Sequence, residues 1–296
     1  MNDPCIILRS VSPNRLQVPR ALTANEWEAY QNANRVLLDF ESVDNLFSLV
    51  YFNANRVVDT HLHWFKEYNS RKSLMDGPDL TSVRLDINRT LLNFLSMAKT
   101  FIDHVETHLK KKYGETSLEF EKFKKAQNTA YDNSCSYRIM YQLRNYAQHC
   151  GLPVQTISFS TNSTQLYGTS YVDRFAALCV RDQLLENFNW KKVRADIEAQ
   201  ESKFDVMPHV FEYMNNLFDI YLVLAQVDNK LIESAQFVKQ LIEGIAREGF
   251  IPCIGELISR SEGDEELQYS MQDMPLAIAE HILAASEKQA IPLSGG

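Results

Sequence analysis

The chain of 296 residues predicts a mainly α fold. The expected architecture is an antiparallel helical bundle of about four long helices, with a small β-hairpin inserted after the third. Three observations lead there. Apolar residues recur at helical spacing over long segments, most clearly at Leu85, Leu92, Leu95, Phe101, Ile102, Val105 and Leu109. Those segments are separated by strong breakers at Asp76-Gly77-Pro78, Gly114 and Gly151-Leu152-Pro153. After Pro153 the pattern switches abruptly to the two-residue alternation of a strand, in Val154–Ser160.

Residues 1–22 read as an irregular leader, because Pro4, Pro13 and Pro19 interrupt it, with a short apolar run at Cys5–Leu8 long enough for one strand. Thr23-Ala24-Asn25-Glu26 has the form of a capping box, in which threonine and glutamate satisfy each other's backbone N–H. A helix is expected from there to Asp39, and a longer one from Val43 to Tyr68, on which Leu46, Val50, Val57 and Trp64 recur. Asp79 is expected to cap the next helix, which ends in Lys110-Lys111-Lys112, a run that suits the negative end of the helix dipole. A third long helix is expected from Thr116–Ser117 to Gly151.

Val154–Ser160 and Arg174–Val180 form the inserted hairpin, with turn chemistry from Thr161-Asn162-Ser163 and Gly168. A short helix is expected over 190–200, then a long helical stretch from Val206 to Ala246, with Pro208 tolerated in the first turn. Beyond Gly249, Pro252, Pro275 and the acidic run Glu262–Glu266 point to a loosely packed tail with short helices over 249–296. The bundle proper therefore covers 23–248. No internal repeat is evident.

Composition narrows the function classes. No apolar run approaches the length of a membrane span, and Met1-Asn2-Asp3-Pro4 lacks the basic and apolar regions of a signal peptide, so a cytoplasmic location is expected. Cys5, Cys135, Cys150, Cys179 and Cys253 are scattered, without the close pairs of a zinc or redox motif. The formal net charge of −8 speaks against a protein that coats nucleic acid, while leaving room for a small basic cleft. Glycine-rich phosphate loops and serine-nucleophile signatures are absent. His104 and His108 have metal-ligand spacing but no third ligand, and His61 and His63 diverge on a helix, so no metal and no cofactor is expected.

The chemistry-bearing stretch is Arg144-Asn145-Tyr146-Ala147-Gln148-His149, at the end of the third helix. Histidine moves a proton near neutral pH, and arginine holds a phosphate through paired hydrogen bonds and stabilises charge developing there. Tyr137 and Tyr141 fall on the helix face of Arg144, where a base could stack on them. Lys110–Lys112 and Lys122, Lys124 and Lys125 could guide RNA, although charge runs more often simply face water.

The arginine, the polar residue beside it and the histidine resemble the signature of the HEPN superfamily (higher eukaryotes and prokaryotes nucleotide-binding). That resemblance covers mainly the helices between about residues 42 and 247. It implies a metal-independent endoribonuclease. Arg144 would bind phosphate, Asn145 would orient the histidine or the substrate, and His149 would serve in the acid–base step as a ribose 2′-hydroxyl attacks the adjacent phosphate. It also implies RNA as substrate, a homodimer whose paired helix ends line one cleft, a toxin–antitoxin, phage-defence or stress setting, and a cognate antitoxin or regulatory protein as partner. One branch of the superfamily carries a tyrosine shortly after the histidine; Cys150-Gly151-Leu152 departs from it here.

Geometry complicates the pair. Residues five apart on a straight helix point about 140° away from each other, so His149 is expected either to swing in a distorted last turn or to meet an arginine from a second copy, with Tyr137, Tyr141 and Tyr146 adding aromatic contact at that interface. The alternative is a catalytically silent helical interaction module, in which Arg144 and His149 merely complement the helix C-terminus.

Overall fold

The computed structural model describes residues 4–10, 15–71, 75–160, 174–260 and 267–287, and these are mainly helical with small antiparallel sheets. The hairpin turn and the acidic run Glu262–Glu266 fall outside the described residues. The chain divides into two units, residues 1–44 with 222–296, and residues 45–221.

In the first unit, β1 (Cys5–Ser10), β2 (Leu16–Ala21), β6 (Phe250–Arg260) and β7 (Leu267–Asp273) form an antiparallel sheet in the order β2-β1-β6-β7. The short strand expected at Cys5–Leu8 forms as β1, while β2 and the tail strands β6 and β7 stand where an irregular segment and a loosely packed tail with short helices were expected. Pro252 misleads because it lies near the start of β6, where proline is tolerated; its carbonyl accepts from Met274 N at 3.1 Å. Ile6, Ile7 and Leu8 are all buried, so β1 is covered on both faces. Gly255 is required by close approach, since a Cβ there would lie 2.3 Å from Ile7 Cδ1 and 2.8 Å from Ser270 O. Helices α8 (Asn229–Leu241) and α9 (Leu276–Glu287) belong to this unit.

Helix α1 (Ala24–Ser70) starts in the first unit and continues into the second. Its capping box forms as the sequence indicates: Thr23 N donates to Glu26 Oε2 at 2.8 Å and Glu26 N to Thr23 Oγ1 at 3.2 Å. Arg20 and these bonds hold the Glu26 carboxyl down at about 2. The break expected near residue 40 does not occur. No glycine or proline interrupts Asp39–Val43, Phe40 and Val43 are buried, and the Ser42 hydroxyl is absorbed by Asp39 O.

The second unit is built on α2 (Gly77–Tyr113), whose Val83, Ile87, Leu91, Phe94, Ala98 and Phe101 are inaccessible to solvent. Asp76 is its cap and Asp79 the reciprocal third residue, one turn earlier than the sequence suggested. The expected third long helix is two: α3 (Leu118–Asn133) and α4 (Cys135–His149), hinged at Ser134. Asp132-Asn133-Ser134 is the cause, because small polar side chains offer the backbone alternative bonds; Ser134 Oγ accepts from Tyr137 N at 3.0 Å. The hairpin forms between β3 (Thr156–Ser160) and β4 (Arg174–Val180), and β5 (Lys203–Asp205) extends it to three strands. Next come α5 (Arg181–Asn187), a 3-10 turn at Lys191–Val193 and α6 (Arg194–Glu198). Helix α7 (Val206–Val227) starts in this unit, and Asp228 caps α8 and divides the stretch expected to be one helix.

Candidate functional site

Helix α4 carries every residue of the expected site, and its two ends are built differently. At the N-terminal end each polar group has a partner. Ser134 Oγ donates to Glu212 Oε1 at 2.6 Å and Ser136 Oγ to Glu212 Oε2 at 2.7 Å, so one carboxylate of α7 closes over the positive end of α4. Those bonds, the one from Ser134 foremost, hold the Glu212 carboxyl below its ordinary range. His209 Nδ1 lies 2.8 Å from Ser136 Oγ. A serine, a histidine and a carboxylate thus meet, but not as a nucleophilic triad. Glu212 bonds the serines and makes no hydrogen bond to the imidazole, and Ser136 is only 4% exposed. Arg138 then grips Asp196 of α6 through Nε and Nη2 at 2.7 and 2.8 Å, and its Nη1 donates to the carbonyls of Tyr131 and Asp132 that end α3.

The C-terminal end is open. Arg144 is half-buried, forms no ion pair among the described residues, and has a buried Nε without a hydrogen-bond partner. Among the described residues its one bond is a long contact from Nη1 to Asn145 Oδ1 at 3.4 Å, while Asn145 Nδ2 donates to Gln142 Oε1 at 3.1 Å. His149 is exposed and makes no hydrogen bond among the described residues. Asn145 therefore touches the arginine and does not touch the histidine.

The last turn stays regular. Cys150 N donates to Tyr146 O at 2.8 Å in the α-helical pattern, so His149 does not swing toward Arg144. The segment beyond the helix is fixed by Asn88 of α2, a residue that no motif marks. Asn88, 1% exposed, donates to Val154 O at 2.8 Å and accepts from Val154 N at 3.0 Å. It replaces a strand partner for the residue after Pro153 and so pins the exit of α4. A mid-helix asparagine among apolar neighbours was the available signal, since buried amides need partners.

The tyrosines separate. Tyr137 is buried, its ring edge-on to Tyr213 at 5.1 Å, and burial pushes its phenol well above the usual range. Tyr146 is buried too, stacked on Trp190 at 5.8 Å. Both fill the core of their own unit, so neither offers surface to a base or a second copy without repacking. Tyr141 is half-buried, and the Lys99 ammonium sits 5.6 Å from its ring centroid.

The lysines expected to guide RNA are partly neutralised, since Glu106 pairs with Lys110 at 3.1 Å and with Lys124 at 3.2 Å. Among the described residues no group of three histidine, cysteine or carboxylate side chains is arranged to hold a metal ion, and no helix is long and apolar enough to cross a membrane. Compared with family models, curated proteins and solved structures, the chain matches none, and its function is read from its own residues.

Proposed function

We propose that this chain is a metal-independent endoribonuclease of HEPN type, with Arg144 and His149 as the essential pair and Asn145 supporting the arginine. In this reading the helices of residues 45–221 are a HEPN-like antiparallel bundle with an inserted hairpin. The observation that carries it is the open end of α4: a half-buried guanidinium without a counter-ion among the described residues, one and a half turns from an exposed imidazole. Such a cation is ready for a phosphate, and an accessible imidazole for proton transfer. The ribose 2′-oxygen attacks phosphorus, the bond from phosphorus to the 5′-oxygen breaks, and histidine manages the proton that leaves one oxygen and arrives at the other. The products are a 2′,3′-cyclic phosphate and a 5′-hydroxyl. Tyr141, rather than the buried Tyr137, is positioned to meet a base.

Because Arg144 and His149 diverge on one regular helix, the reading requires a homodimer in which the arginine of one copy faces the histidine of the other. A toxin–antitoxin or phage-defence role in the cytoplasm, with a cognate antitoxin, follows from the resemblance. The same divergence favours the second reading, a silent HEPN-like interaction module, if the chain is monomeric.

The test compares wild type, Arg144→Ala and His149→Ala on single-stranded RNA and tRNA in EDTA, with the mass in solution measured by light scattering. The expected result is a dimer that leaves cyclic-phosphate ends, and a loss of about 10²- to 10³-fold in each variant. Cleavage that persists in both variants, or a wild type inactive on every RNA offered, rejects the catalytic reading in favour of the binding module.

A further inference from the structure

The corner where β5 runs into α7 is flanked, on either side of Asp205, by two half-buried histidines that the proposed chemistry does not use, His209 of α7 and His61 of α1. His209 is faced by Ser136 from α4, by the Phe204 ring of β5 edge-on at 5.5 Å, and by the charges of Asp205 and Glu212. His61 is faced by the Phe175 ring of β4 at 4.3 Å, by the Phe175 backbone, and again by Asp205. Beyond Phe175 the aromatic stack continues through Phe159 to Tyr68.

Proton counting fixes the state of His209. Ser136 has one hydroxyl proton, and it goes to the Glu212 carboxylate; the 2.8 Å contact to His209 therefore needs a proton on Nδ1 of the ring. Neutral His209 satisfies that, and a further proton must enter at Nε2, in a half-buried ring with Phe204 at its edge. His61 is more constrained, since its Nδ1 is buried with no partner among the described residues, so a proton added there finds no acceptor. The carboxylate of Asp205 lies near both rings, yet one of its oxygens already accepts from Met207 N at 3.1 Å to start α7.

We propose that this corner is an acid-operated joint, in which protonation of His61 and His209 releases β5 and the N-terminal end of α4 from α7 while the centre of α2 stays folded. Burial lowers the affinity of both rings for protons, against the opposing pull of Asp205 and Glu212. A base depressed in the folded state contributes stability that is complete above its unfolded value of about 6.5 and is lost as pH falls below it. The elements that would be released are those that meet the two rings: β5, three residues long, carries Phe204 and Asp205, and the α4 cap Ser134 donates to the same Glu212 carboxylate that faces His209. A three-residue strand and the first turn of a helix open before the centre of a long packed helix does. The joint does not depend on the ribonuclease reading.

Hydrogen exchange between about pH 7.5 and about pH 5 tests it. After correction for intrinsic rates, amides in 134–140 and 203–209 should lose about tenfold protection in acid while those in 94–105 keep theirs. The variant His61→Gln with His209→Asn, whose amide nitrogens stand where Nε2 and Nδ1 stood, should show no such loss. Acid opening that is absent from wild type, or equal in the variant, overturns the proposal. Should the variant not fold, NMR titration of the wild-type imidazoles decides: His61 and His209 must titrate below the ordinary imidazole value of about 6.5, and titration at or above that value refutes the joint.

Discussion

Arg138 and Arg144 stand six residues apart on the same helix, and the structure treats them in opposite ways. Arg138 spends its donors on Asp196 and on the last carbonyls of α3, and the side chains of the ion pair are only 21% and 17% exposed. Arg144 has one long contact to a neighbouring amide and a buried Nε with nothing to bond. Burying part of a guanidinium without a partner costs free energy, so Arg144 adds less to stability than Arg138 does. The serine and carboxylate cap at one end of α4 and the free cation at the other separate a structural polar site from a candidate functional one, even though the two look alike in sequence.

The sharpest way to break that comparison is one substitution at both arginines. Methionine keeps the apolar stem and removes the charge. Arg138→Met strands the Asp196 carboxylate in a mostly buried place and uncaps α3, so denaturant unfolding should show a loss of about 3 kcal/mol. Arg144→Met removes no ion pair and relieves an unsatisfied nitrogen; its stability should stay within about 0.5 kcal/mol of wild type or rise. Equal losses in the two variants would show that Arg144 is as structural as Arg138, and the functional reading of the α4 end would go with it.

The difference between the ends also shows what a sequence exposes and what it hides. Arg144 and His149 were legible because their chemistry and spacing are local. The cap of α1 and the alternation at Thr156–Ser160 were legible for the same reason: a few neighbouring residues satisfy the backbone or set the period. The N-terminal end of α4 was not legible, since Ser134 and Ser136 meet Glu212 and His209 across sequence separations of 73 to 78 residues. Nor was the sheet of the first unit, where Cys5 pairs with Gly255 at the far end of the chain. Such pairing leaves no local period, and Pro252 concealed its strand. The hinge at Ser134 was hidden differently, because apolar residues repeat at helical spacing on both sides of it and conceal the polar cluster that interrupts them.

A smaller effect sharpens the account of the capped end. Glu212→Gln leaves one acceptor oxygen for two serine hydroxyls and removes the negative charge from the helix N-terminus, so a loss of about 1–2 kcal/mol is expected near neutral pH. The sign with pH follows from the depressed carboxyl of Glu212. Its contribution is present above the unfolded carboxylate range and disappears as pH falls through the folded value. Thermal melts of wild type and variant should therefore differ at neutral pH and converge in acid. A difference that persists unchanged into strong acid would mean that shape, and not charge, makes this cap.

The smallest expected effect falls on His149, and its smallness is the point. The ring is exposed and bonds nothing among the described residues, and the helix ends properly without it, through Cys150 N to Tyr146 O and through the grip of Asn88 on Val154. His149→Ala should shift unfolding by no more than about 0.5 kcal/mol and leave exchange at 134–140 untouched. A loss several times larger would place the histidine among the supports of α4 and return the whole helix to a structural role. A near-zero loss combined with abolished RNA cleavage would separate stability from function at the open end.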